Sequence, residues 1–175
     1  MIGCDACLDG GNSMIAEFEL LNIALALTNA FDCLLFGSLG LKLTYPEVLE
    51  QAPHDADFIT GNERNELVRM IHWLQNRGYR VTSWQDVVDD SFDFDLLKGR
   101  IYFRAEKQIP LYDPVIVDMN YEYGQFNYFD LKKMSSRVQG IRILNREGYI
   151  LALSTSDREK HQKEVRVLQS IRHDL

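Results

Sequence analysis

The sequence predicts a single α/β domain. Three observations carry that expectation. Short apolar runs bounded by turn residues alternate with segments whose apolar residues recur at helical spacing. The 175 residues suit one core, and 46% hydrophobic with 26% charged residues is the composition of an ordinary globular domain. The chain also shows no repeat, low-complexity tract or linker, so its strands and helices share one unit.

Residues 1–12 read as a polar leader and 13–175 as the domain. Cys4 and Cys7 form a C-x-x-C, half of a zinc site, but no second pair of ligands follows at suitable spacing. Asn12 or Ser13 can cap a helix through "MIAEFELLNIALALTNA", in which Ile15, Phe18, Leu21 and Leu25 recur on one side. "FDCLLFGS" reads as a buried strand stopped at Gly37, and "LGLKLTYPEVLEQAP" as a short helix and a loop broken by Pro46 and Pro53. "DADFI" has strand character. "GNERNELVRMIHWLQNRGY" is an amphipathic helix with Leu67, Met70, Ile71 and Leu74 on one side and Gly78 as its stop.

"RVTSW", "RIYFRAE" and "PVIVDMNYE" follow as strands, while the acidic span "DVVDDSFDFDLLKG" has no clear period. "NYFDLKKMSSRV" reads as a short helix and "GIRIL" as a strand. Two helical segments close the chain, the second with Val165, Leu168 and Ile171 on one side.

The formal net charge of −7 argues against a broadly basic nucleic-acid surface, so an anionic partner needs local help such as metal ions. The apolar stretch from Met14 to Leu43 is interrupted by Glu17, Glu19, Asn22, Asn29, Asp32 and Lys42, and it is not expected to span a membrane. The beginning of the chain lacks a signal-peptide pattern, and three cysteines fit a reducing compartment; both point to the cytoplasm.

Asp55 and Asp57 flank a single alanine at the start of an apolar run, which is an expensive place for two acids. Strand alternation turns both carboxylates to one face, where they form half of an oxygen cage for Mg²⁺. Gly37 permits close approach of a phosphate to the backbone, and Ser38 with amides at a helix start can donate to it. Asp118, inside "VIVDMNY", is the candidate third acid. Each residue also has an ordinary explanation. The acid pair can flank a surface strand, Gly-Ser is a common turn, and Asp118 at a strand end can face solvent. Arg104 and Lys107 are a phosphate clamp or solvated strand charges, and His54 a phosphate contact or a loop donor. The aromatic cluster Tyr112, Tyr121, Tyr123, Phe126, Tyr128 and Phe129 can stack on a planar substrate or belong to the core.

Taken together, "LLFGSLGLKL", "HDADFI" and the helix ending in "NRGYRV" resemble the nucleotidyltransferase superfamily of the DNA polymerase beta type. The likeness is closest to its small bacterial branch of antibiotic nucleotidyltransferases and toxin–antitoxin nucleotidyltransferases. The matching pattern is a Gly-Ser turn at Gly37 and Ser38, an Asp-x-Asp pair at Asp55 and Asp57, and a later strand acid at Asp118. In the tail, Arg158 and Lys160 match an Arg-x-Lys-Asp run whose acid is replaced by His161, and Ser154 stands where an earlier lysine is expected.

The resemblance implies a mixed, mostly antiparallel sheet with helices packed on it. It also implies Mg²⁺ held by Asp55, Asp57 and Asp118, and a nucleoside triphosphate such as ATP bound near Gly37, Ser38 and Lys160. The reaction implied is transfer of a nucleoside monophosphate to a hydroxyl of a small molecule, an RNA end or a protein. The alternative is a catalytically silent member that binds a nucleotide or a protein partner. So small a chain leaves little room for an acceptor pocket, so a homodimer that completes one is a further expectation.

Overall fold

A computed structural model describes residues 9–49, 51–97 and 102–171, so Cys4 and Cys7 lie outside the described residues. The first half runs α1 (Asp9–Ala30), β1 (Cys33–Leu35), α2 (Gly37–Thr44), a 3-10 turn at Pro46–Val48, β2 (Asp55–Thr60), α3 (Arg64–Gln75), β3 (Arg80–Ser83) and β4 (Asp86–Val87). A 3-10 turn at Phe94–Leu97 leads to β5 (Tyr102–Lys107), β6 (Val115–Asn120) and a small hairpin of β7 (Glu122–Tyr123) and β8 (Phe126–Asn127). The chain continues through α4 (Tyr128–Lys132), β9 (Ser135–Val138), β10 (Ile141–Leu144), α5 (Arg146–Leu153) and α6 (Glu159–Ser170).

Eight strands form one mixed sheet in the order β4-β3-β5-β6-β2-β1-β10-β9. Its neighbours are antiparallel except β2 with β6 and β1 with β10, so the expected mixed, mostly antiparallel α/β architecture is present. Alternation divides the sheet into two faces. Ala56, Phe58, Val81, Phe103, Ala105, Val117 and Met119 are buried in the core. The alternate residues Asp55, Asp57, Thr82, Arg104, Ile116 and Asp118 share the other face, as the pairing of Thr82 with Arg104, Arg104 with Asp118 and Asp118 with Asp57 shows.

Helix α1 contacts β1, β2, β6 and β10, and α3 contacts β3. Just past the end of α1, Phe31 packs edge to face on Trp73 of α3, 5.7 Å between ring centroids. Leu67, Met70, Ile71 and Leu74 are the buried stripe of α3, as their spacing predicts, and Gly78 follows in a left-handed conformation, φ +82°.

Helix α1 departs from expectation twice. It begins at Asp9, upstream of the cap expected at Asn12 or Ser13. Its buried side is also a different one: Leu20, Ile23, Ala24 and Leu27 are buried, whereas Phe18 is 63% and Leu25 39% exposed. The physical reason is that "FELLNIALAL" is apolar nearly all round, so spacing selects no face and docking under the sheet decides. "NYFDLKKMSSRV" likewise splits: only Tyr128–Lys132 is helical, started by an Asn127–Asp130 capping box, and Ser135–Val138 pairs with β10 as an edge strand. Among the described residues no helix is long and apolar enough to cross a membrane.

Candidate metal and nucleotide site

The acid site is built by two parallel strands. Asp57 on β2 stands directly opposite Asp118 on β6, and Asp55 lies two residues earlier on the same face. The small residue between the two β2 acids, Ala56, points into the core with no exposed surface. One ligand atom from each of Asp55, Asp57 and Asp118 lies within 4.8 Å of the others, close enough for all three to hold a metal ion. An all-carboxylate donor set suits a hard divalent cation.

Electrostatics point the same way. Burial, then the charges of Asp55 and Asp118, push the Asp57 carboxyl up to about 7. Burial and then Asp118 push Asp55 upward too. Asp55 and Asp57, which resist ionising beside one another, are the arrangement a bound cation relieves.

Asp118 is buried and held by β5. Arg104 Nε donates to its Oδ1 at 2.8 Å and Nη2 to its Oδ2 at 2.6 Å, and the Tyr102 hydroxyl lies 3.4 Å from Oδ1. The two short bonds form a forked guanidinium–carboxylate pair. Arg104 is thus an ion-pair partner of Asp118, with part of its side chain still open to water. Lys107 lies elsewhere, 5.7 Å from the Tyr79 ring.

The acids open into a cleft of about 460 Å³ whose lining includes Gly37, Ser38, Arg158, Lys160 and His161. Helices α2 and α6 both start at this cleft, and neither has a side-chain cap on its first turn. Their free amides and positive dipole ends face a space that also holds Arg158 and Lys160. Gly37 is in the left-handed region, φ +64°, and a Cβ there would overlap Asp57 Oδ2 and stand 2.9 Å from its Cγ. The turn that starts α2 is therefore pressed against the acid pair.

The structure thus brings Gly37, Ser38, Asp55, Asp57, Asp118 and Lys160 to one cleft. His54 is exposed and is not among the residues lining it. Ser154 is exposed too, its hydroxyl donating to Ile150 O at 2.6 Å. Lys163 is 3.6 Å from Glu159 and lines a neighbouring cleft instead. Of the aromatic cluster, Tyr128 is core, Tyr121, Tyr123 and Phe126 pack against the core, and Phe129 is 53% exposed.

Sequence reasoning missed Glu164 as a member of the cleft, and Tyr123 lines it too, as one of the aromatic residues named as possible substrate contacts. The Tyr123 hydroxyl is 3.1 Å from His161 Nδ1, which also lies 2.7 Å from Ser156 Oγ. Burial, then Arg158 and Lys160, hold His161 below the usual imidazole range. Glu164 is 4% exposed and 3.7 Å from Lys160. A charged residue inside the apolar stripe of an amphipathic helix was the available signal for it. The lining carries Asp55, Asp57, Asp118, Glu122 and Glu164 against Arg104, Arg158 and Lys160, so this pocket favours a cation or an anion brought with one.

No protein-family model and no curated protein matches the chain. Among solved structures it is similar to that described as the crystal structure of JHP933 from Helicobacter pylori. Sequence identity is 14%, the TM-score 0.48, and the match covers 94% of this chain and 66% of that one. The chain thus spans slightly less than two thirds of that protein's length.

Proposed function

We propose that this chain transfers a nucleoside monophosphate from a Mg²⁺-bound nucleoside triphosphate to a hydroxyl acceptor. The observation that carries the reading is the convergence of Asp55, Asp57 and Asp118 ligand atoms within 4.8 Å, beside the uncapped start of α2. Asp55, Asp57 and Asp118 would hold Mg²⁺, which when bound neutralises phosphate charge and activates the α-phosphorus toward attack.

The chain's own groups have separate tasks. Gly37, lacking a side chain, leaves the α2 amides and Ser38 open to phosphate oxygens. Lys160 and Arg158 supply positive charge in the same cleft. Asp118 would receive the acceptor's proton, while Arg104 fixes its orientation through both oxygens. Transfer forms one P–O bond to the acceptor oxygen and breaks the bond to pyrophosphate, which leaves with its charge met by Lys160.

The test is transfer of α-labelled nucleotide to candidate acceptors by wild type and Asp57→Asn. Label transfer that the substitution abolishes, in a variant whose melting curve stays cooperative, supports the reading. Equal transfer by the variant removes it. Metal-dependent nucleotide binding without transfer to any acceptor would instead favour the silent binding module.

A further inference from the structure

Trp84 is the residue that the fold and the proposed chemistry leave unexplained. It occupies the first position of a two-residue loop between β3 and β4, where Ser83 pairs with Asp86. Its φ is +56°, in the region that hairpin loops of this length usually give to glycine. A bulky side chain there is strained, and strain of this kind is retained where the side chain has a use. The ring is not used in the core, since Trp84 is 67% exposed.

Neither Trp84 nor Tyr102 is among the residues lining the cleft; the exposed ring reaches Asp118 through Tyr102, from beside the cleft. It lies 5.3 Å from the Tyr102 ring, tilted by 52°, and the Tyr102 hydroxyl is 3.4 Å from Asp118 Oδ1. Tyr102 is itself half-buried, on the same sheet face as Arg104. An aromatic pair therefore begins at Asp118 and ends in an open π surface one ring farther out.

Resting on the transfer reading above, we propose that Trp84 and Tyr102 form the acceptor platform, and that its occupant is a nucleobase whose ribose hydroxyl reaches Asp118. A base supplies the flat partner that an exposed indole takes, and stacking of this kind tolerates any base. A net charge of −7 disfavours an extended phosphate-tracking surface, which suits the platform to one terminal base and not a long strand. The base can come from a free nucleoside or from the hydroxyl-bearing end of an RNA.

The sequence has two tryptophans, and Trp73 packs on Phe31 and beneath Arg77, away from the cleft. In Trp73→Phe, fluorescence reports Trp84 alone. Adenosine and a short single-stranded oligoribonucleotide are titrated separately, with Mg²⁺ and base-free inorganic triphosphate already present. We expect saturable quenching by at least one, and the stronger of the two identifies the source of the base. Calorimetry on Trp84→Gly should show affinity for that probe weakened by about 5- to 150-fold. The same variant should keep or raise the melting temperature, because glycine suits the loop, and should bind Mg²⁺-triphosphate normally.

No quenching by either probe, with triphosphate binding intact, overturns the platform and leaves the transfer reading standing. A response to an aminoglycoside alone also overturns it. Quenching in a protein that binds no triphosphate supports the platform and removes the transfer reading.

Discussion

Gly37 and Asp57 are in direct contact: the glycine Cα packs against the carboxylate, leaving no room for a Cβ. The Gly37 turn and the acid pair are thereby one unit, because β1 and β2 are antiparallel neighbours and Phe36 N donates to Asp57 O at 2.7 Å. Gly37→Ala is predicted to fail twice. The positive φ should cost about 1–3 kcal/mol of stability, read as a lower urea midpoint. Displacing Asp57 should weaken Mn²⁺ or Mg²⁺ binding by about 10- to 100-fold. Ordinary metal affinity in the alanine variant would show that the contact does not position the acid.

The raised acid of Asp57 predicts an unusual pH dependence. An ordinary aspartate ionises near 3.8 and this one at about 7, so between those values the folded state holds a proton that the unfolded chain has released. Stability therefore falls as pH rises from about 4 to 7, by up to about 1.4 kcal/mol per unit, and levels off above. Urea midpoints in EDTA should decline across that window, the decline should shrink in Asp57→Asn, and Mg²⁺ should restore the midpoint at pH 8. A flat wild-type profile would mean the carboxylates are not crowded.

The Arg104–Asp118 pair predicts energetic coupling. Arg104 is 42% exposed and Asp118 9%, so removing the arginine leaves a buried carboxylate with water on one side only. Arg104→Met should lower stability by about 1–3 kcal/mol, and less in an Asp118→Asn background. Additive losses in that double-mutant cycle would deny the coupling.

Lys160 is 57% exposed at the mouth of the cleft, so its loss should spare the fold. Lys160→Ala is predicted to raise the KM for triphosphate by about tenfold, the effect of losing roughly 1.4 kcal/mol of a charge-assisted contact. Unchanged KM would place the triphosphate away from α6.

Local chemistry was readable wherever one segment sufficed. Leu67, Met70, Ile71 and Leu74 define α3 by spacing, and the two acids of "DADFI" share a face because strand alternation requires it. Helix α1 was misjudged because a segment apolar on all sides contains no information about its neighbour. The β7–β8 hairpin and β9 escaped notice because they are short and paired at edges. Most of the site depended on pairing: Asp118 meets Asp57 only through the parallel register of β6 on β2, and Arg104 meets Asp118 through β5. No periodicity within β6 states which strand lies beside it.

The central claim is that the carboxylate cluster binds a nucleoside triphosphate through a divalent cation. Isothermal titration of each triphosphate, with and without Mg²⁺, on wild type and on Asp55→Asn/Asp57→Asn tests it most directly. The account predicts binding that needs Mg²⁺ and disappears in the double variant. Equal binding without the metal or without the acids, or no binding of any triphosphate, would contradict it.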